Sequence, residues 1–219
     1  MKIFLDTADK LAIAQWAVTG LIDGVTTNPT HLAKEKKSPK ELVQEICTLL
    51  PQGEISVEVT EKEPDKVYAQ ALKIAALHQN ILVKIPCHKD YYGVIEKLVN
   101  DGIKINVTLV FTVVQALFMC KLGVVYISPF VGRWDDIDAH GGDVLFEIRE
   151  MIDQYNFDTQ LLAASLRSVQ HVHQAILAGA DAATLPIAVL EQCAAHVLTD
   201  RGIAQFDADW QKLDIKQFP

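Results

Sequence analysis

The sequence predicts a single (β/α)8 TIM barrel, class α/β, on three observations. Short apolar runs alternate with helix-patterned stretches along all 219 residues. The alternation counts out to eight strand–helix units with no break in composition and no linker. No glycine-rich nucleotide turn follows the first run, which favours a closed barrel over a doubly wound sheet.

The strand segments are KIFLD (2–6), DGVTTN (23–28), ISVEV (55–59), ILVKI (81–85), IKINVTLV (103–110), VVYISPF (124–130), TQLLAAS (159–165) and AATLP (182–186). Continuous Val/Ile/Leu/Ala runs of this kind suit strands covered on both faces. Between them, Val67, Ala71, Ile74 and Ala75 recur at helical spacing, and Val94, Ile95, Leu98 and Val99 repeat the stripe. Ser38-Pro39-Lys40-Glu41 predicts a helix start with a Ser cap, Pro at the first helical position and Glu placed for a capping box. Gly20, Gly102, Gly123 and Gly179 each close a helical stretch shortly before a strand. Residues 199–219 form a helical extension of the same domain, 1–219. Phe206, Trp210 and Leu213 give it one apolar face, expected to pack on the barrel or on a neighbouring subunit.

A net charge of −8 argues against nucleic acid or an anionic membrane as partner. An anionic substrate would need a local cationic site. Cys47, Cys87, Cys120 and Cys193 are scattered and form no C-x-x-C pair, so reduced thiols in a cytoplasmic protein are expected. The N-terminus shows no signal-peptide apolar region, and no apolar run reaches the ~18 residues of a membrane span. The histidines make no zinc motif, and His171 and His173 are expected to be solvated on their helix. There is no Walker A sequence and no G-x-G-x-x-G.

Polar residues sit where chemistry would sit. A (β/α)8 barrel carries its active site at the C-terminal ends of the strands. Here those ends carry Asp6, Asn28, Glu58, Lys84, Asn106 with Thr108, Arg133 just past Phe130, and Ser165 with Arg167. Each alone has an ordinary explanation as a cap, turn or small polar residue, but seven strand ends behaving alike do not. Asn106 and Thr108 are two apart, so they share a strand face, and Ser165 and Arg167 have the same spacing. Lys84 is the most pointed case. It lies in ILVKIP, and lysine rarely occupies a buried strand without a partner. Desolvation favours a neutral amine, which can condense with a carbonyl. Arg133 and Arg167 suit a phosphate, and Ser165 and Arg167 fall where the loop after strand seven meets a helix N-terminus.

The stretches FLDTAD (4–9), GVTTNPT (24–30), VEVT (57–60), VKIP (83–86), NVTLVF (106–111), SPFVGRWDD (128–136), AASLR (163–167) and TLPIAVLE (184–191) resemble the transaldolase family over nearly the whole chain. The short length resembles its compact branch, which holds both transaldolases and fructose-6-phosphate aldolases. The resemblance implies that Lys84 forms a Schiff base with the ketose C2 carbonyl. Asp6 would take the C4 hydroxyl proton, and Glu58 with Thr108 would hold the proton-shuttling water. It places hydroxyls of the three-carbon unit on Asn28 and Asn106, and the phosphate on Arg133, Ser165 and Arg167. The iminium serves as electron sink, so no metal or organic cofactor is expected. The implied reaction takes sedoheptulose 7-phosphate and glyceraldehyde 3-phosphate to erythrose 4-phosphate and fructose 6-phosphate, as in the pentose phosphate pathway.

Within the branch, the aldolases carry Gln at the position of Glu58 and Tyr at that of Phe130, and lack Asn106, so these three residues resemble a transaldolase. A Tyr hydroxyl would help protonate the enamine and release dihydroxyacetone, whereas Phe130 would let the enamine wait for a second aldose. The alternatives are an aldolase releasing free dihydroxyacetone and a silent sugar-phosphate binder. The branch also implies a ring-like homo-oligomer, often a decamer. One stretch departs from the family pattern, Cys87-His88-Lys89-Asp90-Tyr91-Tyr92, where His88 is expected to cover the barrel mouth.

Overall fold

The structure is a computed structural model in which residues 1–35 and 37–213 are described. Among them, eight parallel strands close a barrel in sequence order: β1 (Lys2–Asp6), β2 (Gly24–Thr26), β3 (Glu54–Glu58), β4 (Ile81–Pro86), β5 (Ile105–Val110), β6 (Tyr126–Pro129), β7 (Gln160–Ala163) and β8 (Ala182–Leu185), which pairs back onto β1. The helices are α1 (Lys10–Ala17), α2 (Pro29–Leu32), α3 (Pro39–Leu49), α4 (Pro64–Ala75), α5 (Tyr92–Asn100), α6 (Val113–Lys121), α7 (Val131–Asp135), α8 (Gly141–Gln154), α9 (Val169–Leu177), α10 (Ile187–Ala194) and α11 (Val197–Gln211). The expected (β/α)8 barrel is therefore the fold found.

Alternation along each strand splits the core in two. Leu5, Val25, Ile55, Val83, Ile105 and Ile127 face outward and bury themselves under the helices. Phe4, Leu82, Tyr126, Leu162 and Ala182 point inward and fill the barrel. The N-terminal end is plugged by one polar cluster. Lys2 Nζ donates to Glu54 Oε2 at 2.8 Å and to Tyr126 Oη at 2.9 Å, and Tyr126 Oη donates to Glu54 Oε2 at 2.8 Å. Burial pushes the Tyr126 hydroxyl up to about 12, with the Glu54 hydrogen bond adding to the effect and Lys2 opposing it. With this end filled, the opposite end is left as an open polar mouth.

Sheet geometry is tightest at β2. A Cβ on Gly24 would sit 2.3 Å from the Glu54 carbonyl oxygen across the β2–β3 pairing. We expect Gly24→Ala to destabilise the fold by about 3 kcal/mol through overpacking against backbone. Denaturant midpoints measure this, and an unchanged midpoint would mean that β2 can move.

Gly20, Gly102, Gly123 and Gly179 all have positive φ, as helix stops require. Pro39 opens α3 as expected, but Ser38 makes no side-chain cap bond. The capping box lies instead at α6, where Thr112 and Gln115 cap each other's backbone. In α11 no residue is buried, and Phe206 and Leu213 are exposed. The rest of that extension, 214–219, lies outside the described residues. No helix among the described residues is long and apolar enough to cross a membrane.

Candidate active site

The mouth holds a cavity of about 200 Å³ lined by Asp6, Asn28, Lys84, Asn106, Thr108, Phe130, Arg133, Ser165 and Arg167. That is smaller than a drug-sized site of roughly 300–1,000 Å³, so it suits a small polar molecule. Nine of the ten residues singled out in the sequence thus meet around one space. The tenth, Glu58, lines a larger groove of about 520 Å³ between the α2–α3 segment and α4. It still reaches the site, because strand register puts Glu58, Lys84 and Asn106 side by side on β3, β4 and β5.

Lys84 is 6% exposed. Its Nζ lies 3.2 Å from Glu58 Oε2 and donates to the Thr27 carbonyl at 3.3 Å. The lysine therefore has the partner that its burial demands, and the carboxylate stands where it can exchange a proton with the amine. Asn106 is clamped: its Nδ2 donates to Ser56 Oγ at 2.9 Å, and its Oδ1 accepts from Ser128 Oγ at 2.7 Å. Thr108 Oγ1 is buried and makes no hydrogen bond among the described residues. An unpaired buried hydroxyl costs free energy, so one aimed at a cavity is suited to a bound molecule.

Asp6 ends β1 beside Thr26, whose Oγ1 donates to Asp6 Oδ1 at 2.8 Å. Thr26 Oγ1 is also 2.6 Å from Thr184 Oγ1. A hydroxyl has one proton, so Thr184 donates to Thr26 while Thr26 donates to the carboxylate. Asn28 caps the short α2 through its Oδ1, which accepts from His31 N at 2.9 Å. That brings the His31 imidazole against Asp6. Sequence inspection missed His31, Thr26, Ser56, Ser128 and Thr184. Strand parity would have exposed four of them: Thr26 is two residues before Asn28, Ser56 before Glu58 and Ser128 before Phe130, while Thr184 holds the matching place on β8.

The phosphate-binding candidates come from two segments. β7 ends at Ala163, so strand alternation does not govern Ser165 and Arg167 as their spacing implied. Ser165 takes φ +58°, a left-handed conformation costing about 1–2 kcal/mol, and still lines the cavity. Gly132 of α7 locks this turn, with its N–H bonded to Ser165 O at 3.0 Å and no room for a Cβ. Arg133 lies over the Phe130 ring at 5.4 Å. Arg167 forks onto the Asp136 carboxylate. The hydrogen bonds from Arg167 hold Asp136 below the usual carboxylate range. His171 is not solvated as expected. Its Nδ1 accepts from Arg167 N at 3.1 Å and its Nε2 sits 2.6 Å from Asp135 Oδ2, because the chain turns back over α9 there. His173 is exposed, as read.

His88 does not line the cavity. It caps a 3-10 turn at Lys89–Tyr91 and lies 3.5 Å from Asp90. All four cysteines are free. Burial pushes the Cys87 thiol up, against a hydrogen bond from Tyr92. Among the described residues no group of His, Cys, Asp and Glu could hold a metal ion.

Comparison with known proteins agrees with this picture. A model described as transaldolase/fructose-6-phosphate aldolase matches residues 3–216. A protein of Parvibaculum lavamentivorans, named a probable transaldolase, is 47% identical over 97% of each chain. Probable transaldolases of Thermodesulfovibrio yellowstonii and Lactiplantibacillus plantarum are each 44% identical, covering 97% and 99% of this chain and 99% and 100% of their own. Among solved structures, a thiamine phosphate pyrophosphorylase of Pyrococcus furiosus superposes with TM-score 0.56 at 15% identity, over 84% of this chain and 85% of that one, which shows a shared fold alone.

Proposed function

Since the chain belongs to the transaldolase/fructose-6-phosphate aldolase family, we propose that it is a transaldolase moving a dihydroxyacetone unit between sugar phosphates through a Schiff base on Lys84. The observation that carries this reading is a lysine Nζ 3.2 Å from the Glu58 carboxylate, on the wall of a small polar cavity also lined by Asp6.

The steps are those that the family resemblance implies for these residues. The Lys84 amine adds to the ketose C2 carbonyl, and water leaves as the iminium forms. Glu58 and the unpaired Thr108 hydroxyl serve the proton transfers of that step. Asp6 takes the C4 hydroxyl proton, the C3–C4 bond breaks, and its electron pair flows into the iminium to give the enamine. An aldose phosphate leaves. The enamine then adds to a second aldose, Asp6 returns the proton, and hydrolysis frees the product. Asn28 and Asn106 hold hydroxyls of the three-carbon unit, while Arg133, Ser165 and Arg167 hold the phosphate.

Phe130 lines the cavity where a hydroxyl could have protonated the enamine, and it packs against Phe111 with ring centroids 6.0 Å apart. This favours transfer over release of free dihydroxyacetone. The enzyme is expected to turn over fructose 6-phosphate only when an acceptor such as erythrose 4-phosphate is added. Equal turnover without acceptor would make it an aldolase. A cytoplasmic homo-oligomer, ring-like and decameric in the manner of the compact branch, is part of the same proposal. The exposed Phe206 of α11 and Leu213 just past it support an association surface there.

A further inference from the structure

His31 has no role in the chemistry set out above, yet it stands against the carboxylate that moves the proton. Its Nδ1 is 3.6 Å from Asp6 Oδ1 and 3.3 Å from Asn28 Nδ2, and the side chain is 21% exposed. Asn28 fixes this placement, since its Oδ1 accepts from the His31 backbone N–H. The two partners of Nδ1 ask for opposite things. The Asn28 amide can only donate to it, which requires a bare nitrogen. The Asp6 carboxylate can only accept from it, which requires a proton there. One ring nitrogen therefore stands between a donor and an acceptor, and the proton on it decides which it serves.

We propose that His31 is a positioning residue for Asp6, sharing one proton with that carboxylate and so setting when it is free to act as a base. The proposal rests on the reading of Asp6 as the group that takes the C4 hydroxyl proton. With His31 protonated, its charge faces Asp6 Oδ1 at 3.6 Å and favours the ionised carboxylate. When Asp6 takes the substrate proton, the charge facing the imidazole disappears, and the His31 proton is held less firmly. The pair is thus a coupled site whose protons belong to both members. Other charged groups also act on the imidazole. Burial, the largest effect, holds the imidazole below its usual proton affinity; Asp6 opposes this, while Lys34 just past α2 and Lys84 of β4 add to it.

Two measurements test this. The first is the titration of the His31 ring by NMR, assigned by the signal missing in His31→Asn. In Asp6→Asn the ring should lose its proton at a pH lower by about half a unit or more than in the wild type. An unshifted titration would overturn the coupling whatever the enzyme catalyses. The second is the pH profile of kcat/KM for wild type, His31→Asn and His31→Leu. A cation beside a carboxylate favours its ionised form, so loss of the imidazole should move the acid limb up by about half a unit or more in both variants. A role in packing alone would lower the plateau and leave the limb in place. A limb unmoved in both variants, or restored by Asn, which carries no charge, would sink the proposal. Borohydride trapping on the wild type separates the two failures. Absence of a trapped adduct removes the reading of Lys84 and the catalytic role of the pair with it. An adduct with an unmoved limb removes only the pair.

Discussion

Lys84→Ala should abolish the borohydride-trapped adduct with fructose 6-phosphate and lower kcat by on the order of 10⁴-fold or more, the scale seen when a covalent nucleophile is removed. The wild-type adduct should map to Lys84 by mass spectrometry. Among the residues lining the cavity, Lys84 is the one lysine; the other basic side chains are Arg133 and Arg167, whose guanidinium groups stay protonated. Lys84→Arg makes the second arm of the test. It keeps a cation near Glu58 Oε2 and the Thr27 carbonyl, so the carboxylate is not left alone, yet it supplies no nucleophile. Both variants should fail alike. Turnover by either within about tenfold of the wild type would mean that the covalent step lies elsewhere. Alanine also leaves the Glu58 carboxylate without its partner at 3.2 Å, so a lower melting temperature is expected for Lys84→Ala.

Most of the barrel was legible in the sequence because buried parallel strands advertise themselves. ILVKI and KIFLD are continuous apolar runs, and β4 and β1 fall on them within a residue. Single polar residues at the ends of such runs were legible for the same reason: Lys84 in ILVKIP has no ordinary reason to be there. What the sequence hid were interactions settled by local geometry. Ser38 precedes a proline and carries the right side chain, but its backbone does not bring Oγ to a free N–H, whereas Thr112 does. Arg167 read as a phosphate ligand, yet Asp136 from the preceding βα segment closes on it. His171 read as solvated because helical spacing says nothing of the chain folding over it. His31 hid best, since its neighbours in sequence are an ordinary helix start and its partner Asp6 lies on the adjacent strand.

Asp6→Asn should separate the two halves of the chemistry, losing roughly 10²–10⁴-fold in kcat, the range for removal of a positioned general base, while the Lys84 adduct still forms. The substitution is nearly isosteric. The new Oδ1 can still accept from Thr26 Oγ1; the same oxygen faces His31 Nδ1, so that contact stays in place but no longer carries a charge. What is lost is the capacity to hold a proton. Schiff-base formation needs Lys84, Glu58 and Thr108, and Asp6 enters only when the C3–C4 bond breaks. Borohydride should therefore trap the substrate on Lys84 in this variant at a level near or above the wild type, because the adduct forms and cannot go on. Turnover and trapping should part company here, whereas Lys84→Ala loses both. If Asp6→Asn instead lost the adduct along with turnover, Asp6 would belong to carbonyl condensation, and the division of labour between the two carboxylates would be reversed. The pH profile gives an independent reading. The acid limb that a titrating Asp6 contributes should vanish from the residual activity of the variant, since an amide has no proton to take up.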